Sequence, residues 1–97
     1  QIKALYQFEV IQNMKAYVLI TAKRGTADML AETISKIKNV KSAECVFGRY
    51  DVIAIVESPE MKTISRVVHQ LQKQEQILHT ETAFSHYAED KDYGTPE

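Results

Sequence analysis

Residues 15–22 read Lys-Ala-Tyr-Val-Leu-Ile-Thr-Ala, a short and almost unbroken apolar run stopped by Lys23-Arg24-Gly25. Successive strand side chains point to opposite sides, so a strand that is apolar at every position needs cover on both faces. The run therefore predicts a central strand. Val52-Ile53-Ala54-Ile55-Val56 is a second run of the same kind. Both are far shorter than the roughly 20 residues that span a bilayer, and no charged-then-apolar leader precedes a small-residue cleavage site. A membrane is not an expected partner, and a cytoplasmic location is.

Between the two runs the period changes. Ala27, Leu30, Ala31, Ile34 and Ile37 recur at helical spacing behind Thr26, which stands where a cap belongs, and Asp28 adds negative charge to the first turn. This predicts a helix over 27–37, with Lys36 and Lys38 at its carbonyl end. Residues 40–47 then alternate, and Gly48-Arg49-Tyr50-Asp51 leads into the second apolar run, which is the pattern of a hairpin. Ser58-Pro59-Glu60 is a strong helix start: serine accepts from free amides, proline loses nothing at the first position, and glutamate favours the positive end. Met61, Ile64, Val67, Val68 and Leu71 form the apolar stripe that follows, and residues 77–87 alternate as a last strand.

The order strand, helix, strand, strand, helix, strand predicts an α+β, ferredoxin-like βαββαβ domain. Its four-stranded antiparallel sheet carries both helices on one face. The other face, partly apolar, is left for a second subunit, giving a dimeric α/β barrel-like assembly. At 97 residues and 44% apolar content the chain holds one domain, placed at 14–87. Residues 1–13 begin with Gln and alternate at Ile2, Ala4, Tyr6, Phe8 and Val10, so they read as an N-terminal extension, either an extra strand or a leader. Residues 88–97 are acidic and aperiodic, as in a solvated tail.

Twelve basic against thirteen acidic residues leave a net charge of −1, with no long-range attraction for nucleic acid. Cys45 is the single cysteine, which excludes an intrachain disulfide, a zinc cluster and a CxxC pair. It reads as a small strand residue. His69, His79 and His86 share no metal-ligand spacing with a carboxylate and read as partly exposed structural residues. Met14, Met29 and Met61 read as core or strand-end residues. No metal, cofactor or catalytic residue is expected, because no base is paired with a nucleophile.

The segment Val46-Phe47-Gly48-Arg49-Tyr50-Asp51-Val52-Ile53-Ala54 resembles the turn motif of the ligand-sensing domain of the leucine-responsive and AsnC regulators. Residues 18–22 resemble the family's first strand, Ser58-Pro59-Glu60 its second helix start, and Thr80-Glu81-Thr82 the paired threonines of its last strand. The likeness spans residues 14–87. Gln76-Ile77 stands where the family usually has Gly-Val, and no winged or helix-turn-helix segment precedes the domain in these residues. The resemblance implies the sensing and assembly half of a regulator without its own DNA-binding domain.

A free amino acid needs an acceptor for its ammonium, donors for its carboxylate and room for its side chain. Gly48 can adopt a positive φ and let a ligand reach its amide, and Asp51 can take the ammonium. The resemblance implies the same two roles. Arg49 can fork onto a carboxylate, Tyr50 lies within the turn, and Thr80 and Thr82 share one strand face from which their hydroxyls can donate to a carboxylate of a neighbouring turn. Replacing Asp51 is expected to spare folding, as for any surface turn carboxylate. The expected partners are a free amino acid or similar metabolite, further copies of the chain as a dimer or ring of dimers, and full-length regulators of the family. Two other readings share the architecture: a small cofactor-free oxygenase, and a ligand-free assembly partner of full-length regulators.

Overall fold

A computed structural model describes residues 14–85. The possible strand or leader at 1–13, the tail at 88–97 and His86 lie outside the described residues. The elements are β1 (Met14–Ala22), α1 (Ala27–Ser35), β2 (Val40–Cys45), β3 (Val52–Ser58), α2 (Met61–Leu71) and β4 (Ile77–Ser85). The strands form one sheet in the order β2-β3-β1-β4, every neighbouring pair antiparallel. This is the predicted ferredoxin-like arrangement. No helix among the described residues is long and apolar enough to cross a membrane.

The two apolar runs occupy the middle of the sheet, with Val18 opposite Ala54 and Ile20 opposite Val52. Ala16, Val18, Ile20 and Ala22 of β1 and Val52, Ala54 and Val56 of β3 lie on the buried side. Leu30, Ala31 and Ile34 of α1 and Ile64, Val67 and Leu71 of α2 close over them in a single cluster, so both helices cover one face. Each fully buried leucine, isoleucine or valine there contributes about 1.5–3 kcal/mol. The alternate residues Tyr17, Leu19, Ile53 and Ile55 point to the open face and remain only half-buried.

Several boundaries differ from expectation. Helix α1 stops at Ser35, two residues before Ile37, because Ile37 and Val40 donate to Ile34 and Ile37 in tighter turns and Asn39 takes a φ of 77°. The Thr26 hydroxyl donates back to the Lys23 carbonyl at 2.7 Å instead of capping the helix. Ser58 is the last residue of β3, and its Oγ accepts from the Glu60 amide at 3.1 Å, so α2 starts at Met61 behind Glu60. Met29 and Met61 are exposed at 65% and 43%, so neither belongs to the core. At the Gln76-Ile77 entry the Gln76 carbonyl accepts from Lys23 at 2.8 Å, and the β1–β4 register shifts between Thr21 and Ala22.

Candidate functional site

The β2–β3 turn is set by one backbone bond and one left-handed residue. The Val46 amide donates to the Asp51 carbonyl at 2.9 Å, and Gly48 turns the chain with a φ of +122°. A Cβ at Gly48 would meet open space, so the backbone conformation and not crowding calls for glycine. Phe47 and Arg49 are exposed. Beyond the turn the Asp51 amide donates to the Ile20 carbonyl at 2.8 Å, which ties the corner to the central strand.

Asp51 has two faces. Its Oδ2 accepts from the Ala22 amide at 2.8 Å, satisfying a backbone donor where β1 leaves the sheet. Its Oδ1 meets no donor among the described residues. The expectation that Asp51 can be replaced without cost to folding is therefore corrected, since removing the carboxylate orphans the amide of a buried residue.

Because β3 and β4 both run antiparallel to β1, their first residues lie at the same end of the sheet. Tyr50 consequently reaches β4, where its hydroxyl donates to Glu81 Oε1 at 2.6 Å. His79 Nε2 stands 3.6 Å from Glu81 Oε2. The bond from Tyr50 holds the Glu81 carboxyl below its ordinary range, with His79 acting in the same direction, and the same bond pushes the Tyr50 phenol up. Tyr50 thus stays a donor and Glu81 an anion at neutral pH.

The threonines lie elsewhere. Thr80 and Thr82 pair with Ile20 and Val18, whose side chains face the helices, whereas Glu81 pairs with Leu19 on the open face. Thr80 Oγ1 accepts from Gln72 Nε2 at 3.0 Å at the end of α2. Within one chain the turn residues Gly48, Arg49, Tyr50 and Asp51 form one corner with Glu81, and the two threonines face away from it. Glu81 was not singled out from sequence as a partner of the turn, and His79, read as a partly exposed structural residue, stands beside it. Period-two alternation separates Glu81 from its threonine neighbours, but only the strand order brings it to Tyr50.

Cys45 is exposed, and its thiol donates to Asp28 Oδ1 at 3.0 Å. That acceptor, more than desolvation, raises the thiol pKa and disfavours the reactive thiolate. Among the described residues no group of three His, Cys, Asp or Glu side chains is placed to hold a metal.

Among the described residues the ferredoxin-like sheet leaves one partly apolar face without helix cover, and the Gly48–Asp51 corner lies on its rim, the architecture of a small α+β domain. The sequence profile of the Lrp/AsnC ligand binding domain matches residues 15–90, and the chain belongs to that family. Among solved structures, TTHA0845 from Thermus thermophilus is similar at 29% identity and a TM-score of 0.72, over 77% of this chain and 95% of that one. Hypothetical protein PHS023 from Pyrococcus horikoshii is similar at 26% identity and a TM-score of 0.70, over 75% and 89%. The transcriptional regulator NMB0573 from Neisseria meningitidis, solved as a complex with L-Met, shares the fold at 17% identity and a TM-score of 0.69, over 84% of this chain and 55% of that one. No curated protein matches the sequence.

Proposed function

We propose that this chain is the sensing and assembly module of a regulator, which takes up a free amino acid or similar small metabolite at the Gly48–Asp51 corner and reports it through its assembly. One observation carries the reading. The amides of Gly48 and Arg49 and Asp51 Oδ1 have no protein partner among the described residues, and they match the carboxylate and ammonium of an α-amino acid. Asp51 holds the ammonium while Oδ2 stays anchored on Ala22, and Arg49 adds charge for the carboxylate. Tyr50, tied to Glu81, fixes the wall between them.

The same reading places the corner at a subunit boundary. Tyr17, Leu19, Ile53 and Ile55 make a half-buried apolar patch beside it, which a second copy would cover as a dimer or ring of dimers. Thr80 and Thr82, turned away from their own corner, then serve a neighbouring subunit's turn. The module binds and assembles without catalysing a reaction, and it meets its ligand in the cytoplasmic amino-acid pool. Family membership over 15–90 supports this, and the L-Met complex of the N. meningitidis regulator makes methionine the first ligand to try.

A thermal-shift screen against the twenty amino acids tests it, with light scattering of the same samples. A ligand at 100 times its Kd stabilises the native state by about 2.7 kcal/mol, an easily read shift. Absence of any shift, with an oligomer still present, would replace sensing by the assembly-only role beside full-length regulators. A monomer at micromolar concentration would remove the subunit boundary itself.

A further inference from the structure

The two edges of the sheet are built differently. An edge strand offers a row of unpaired amides and carbonyls, and proteins blunt such rows with shortness, charge and irregular pairing. Edge strand β2 has all three: it is six residues long, carries Lys41 and Glu44, and shifts register against β3 between Val40 and Ser42. Edge strand β4 is nine residues long, holds no lysine, arginine or proline, and pairs with β1 in unbroken register from His79 to Ser85. Among the described residues β1 is its only neighbour in the sheet. Its helix side is bare as well. Helix α2 packs over β3 and β1, so Phe84, which pairs with the buried Ala16 and shares its side, stays 52% exposed. Met61 and Gln72 lie about three helical turns apart, so Met61, 43% exposed, shares the side of α2 from which Gln72 reaches Thr80.

Two observations name an occupant for this edge. The first is where the chain comes from: β1 begins at Met14, and Lys15 pairs with Ser85, so residues 1–13 enter the sheet beside the last residue of β4. Two strand spacings, roughly 10 Å, separate β1 from the position outside β4, and three extended residues reach about as far. The second is pattern: Ile2, Ala4, Tyr6, Phe8 and Val10 alternate over nine positions, the length of β4. We propose that residues 2–10 of this chain add a fifth strand along the free edge of β4, parallel to it, with residues 11–13 crossing the end of β4 into β1. The apolar positions lie on the helix side, beside Phe84 and Met61. The sheet then ends on a strand that carries Lys3 and Glu9, charges that guard an edge, and assembly with a second copy is confined to the uncovered sheet face.

Amide NMR on the full chain tests this. Expected are NOEs between residues 4–9 and 79–84, and hydrogen exchange at residues 4–9 slowed at least roughly tenfold against an unstructured chain. Phe8→Asp puts a charge on the apolar side of the strand and should abolish both, while exchange at Val18 and Ala54 in the core stays unchanged. NOEs that arise only between labelled and unlabelled chains in a mixed sample would assign the strand to a second copy and overturn the own-chain placement. Contacts that survive Phe8→Asp would overturn the seating of the apolar positions beside Phe84. Exchange at unstructured rates throughout residues 4–9 would overturn the strand itself.

Discussion

Asp51 carries two roles that one pair of substitutions separates. In Asp51→Ala the Ala22 amide loses its 2.8 Å acceptor, and Ala22 is only 7% exposed, so water replaces the lost bond poorly. A hydrogen bond to a charged acceptor is worth about 1.5–3 kcal/mol net. For a domain of this size each kcal/mol moves Tm by roughly 4–8 °C, so Asp51→Ala should melt at least about 6 °C lower. Asp51→Asn keeps a neutral oxygen that accepts from Ala22 and retains about 0.5–1.5 kcal/mol of the bond. It should fall between wild type and alanine in stability, yet lose the charge offered to an ammonium. Urea unfolding followed by circular dichroism measures the first effect, with an unchanged m-value as the check on two-state behaviour. Calorimetry with an amino acid found in the thermal-shift screen measures the second. Asp51→Ala within about 0.5 kcal/mol of wild type, below the ordinary range for such a bond, would refute the structural role. Equal affinity in wild type and Asp51→Asn would refute the ligand role.

Three further outcomes follow from the packing and the titrating groups. Leu71→Ala empties a fully buried position of the helix-covered core and should cost about 2–5 kcal/mol in urea unfolding; a loss below about 1 kcal/mol would mean α2 is not docked as described. Tyr50→Phe removes the main cause of the lowered Glu81 pKa, so the Glu81 carboxyl should titrate at higher pH by NMR. Glu81 in the wild type favours the native state above its unfolded pKa of about 4.3, an effect lost as pH falls through the lower native value, and an identical Glu81 titration in Tyr50→Phe would contradict the bond. Cys45 should react with a thiol reagent more slowly than a free cysteine at about pH 8, near the ordinary thiol pKa, despite its exposure, and Asp28→Asn should speed it, whereas equal rates would remove Asp28 as the cause.

The element order, the antiparallel sheet and the one-sided helix layer were legible because each rests on local periodicity. Two runs apolar on both faces could only be central strands, and helices with a single stripe could cover only one side. The glycine of the turn was legible for the same kind of reason, since a short hairpin loop needs a left-handed residue. Boundaries were less so: Ser58 satisfies every local rule for a cap, yet β3 extends through it, because pairing with Met14 and burial on the helix side outweigh the capping preference. Met29 falls outside the Ala27, Leu30, Ala31 and Ile34 stripe of α1 and is exposed, whereas Met61 is on the stripe of α2 by spacing but stands at the helix's first residue and stays exposed as well. The partners of the candidate corner are a matter of tertiary structure alone. Asp51 and Ala22 are 29 residues apart and Tyr50 and Glu81 are 31, and neither pair leaves a trace in local pattern. Alternation told that Glu81 and the threonines face opposite ways. Which of those faces meets the turn was settled by the strand order β2-β3-β1-β4, which sets the starts of β3 and β4 side by side across the central strand.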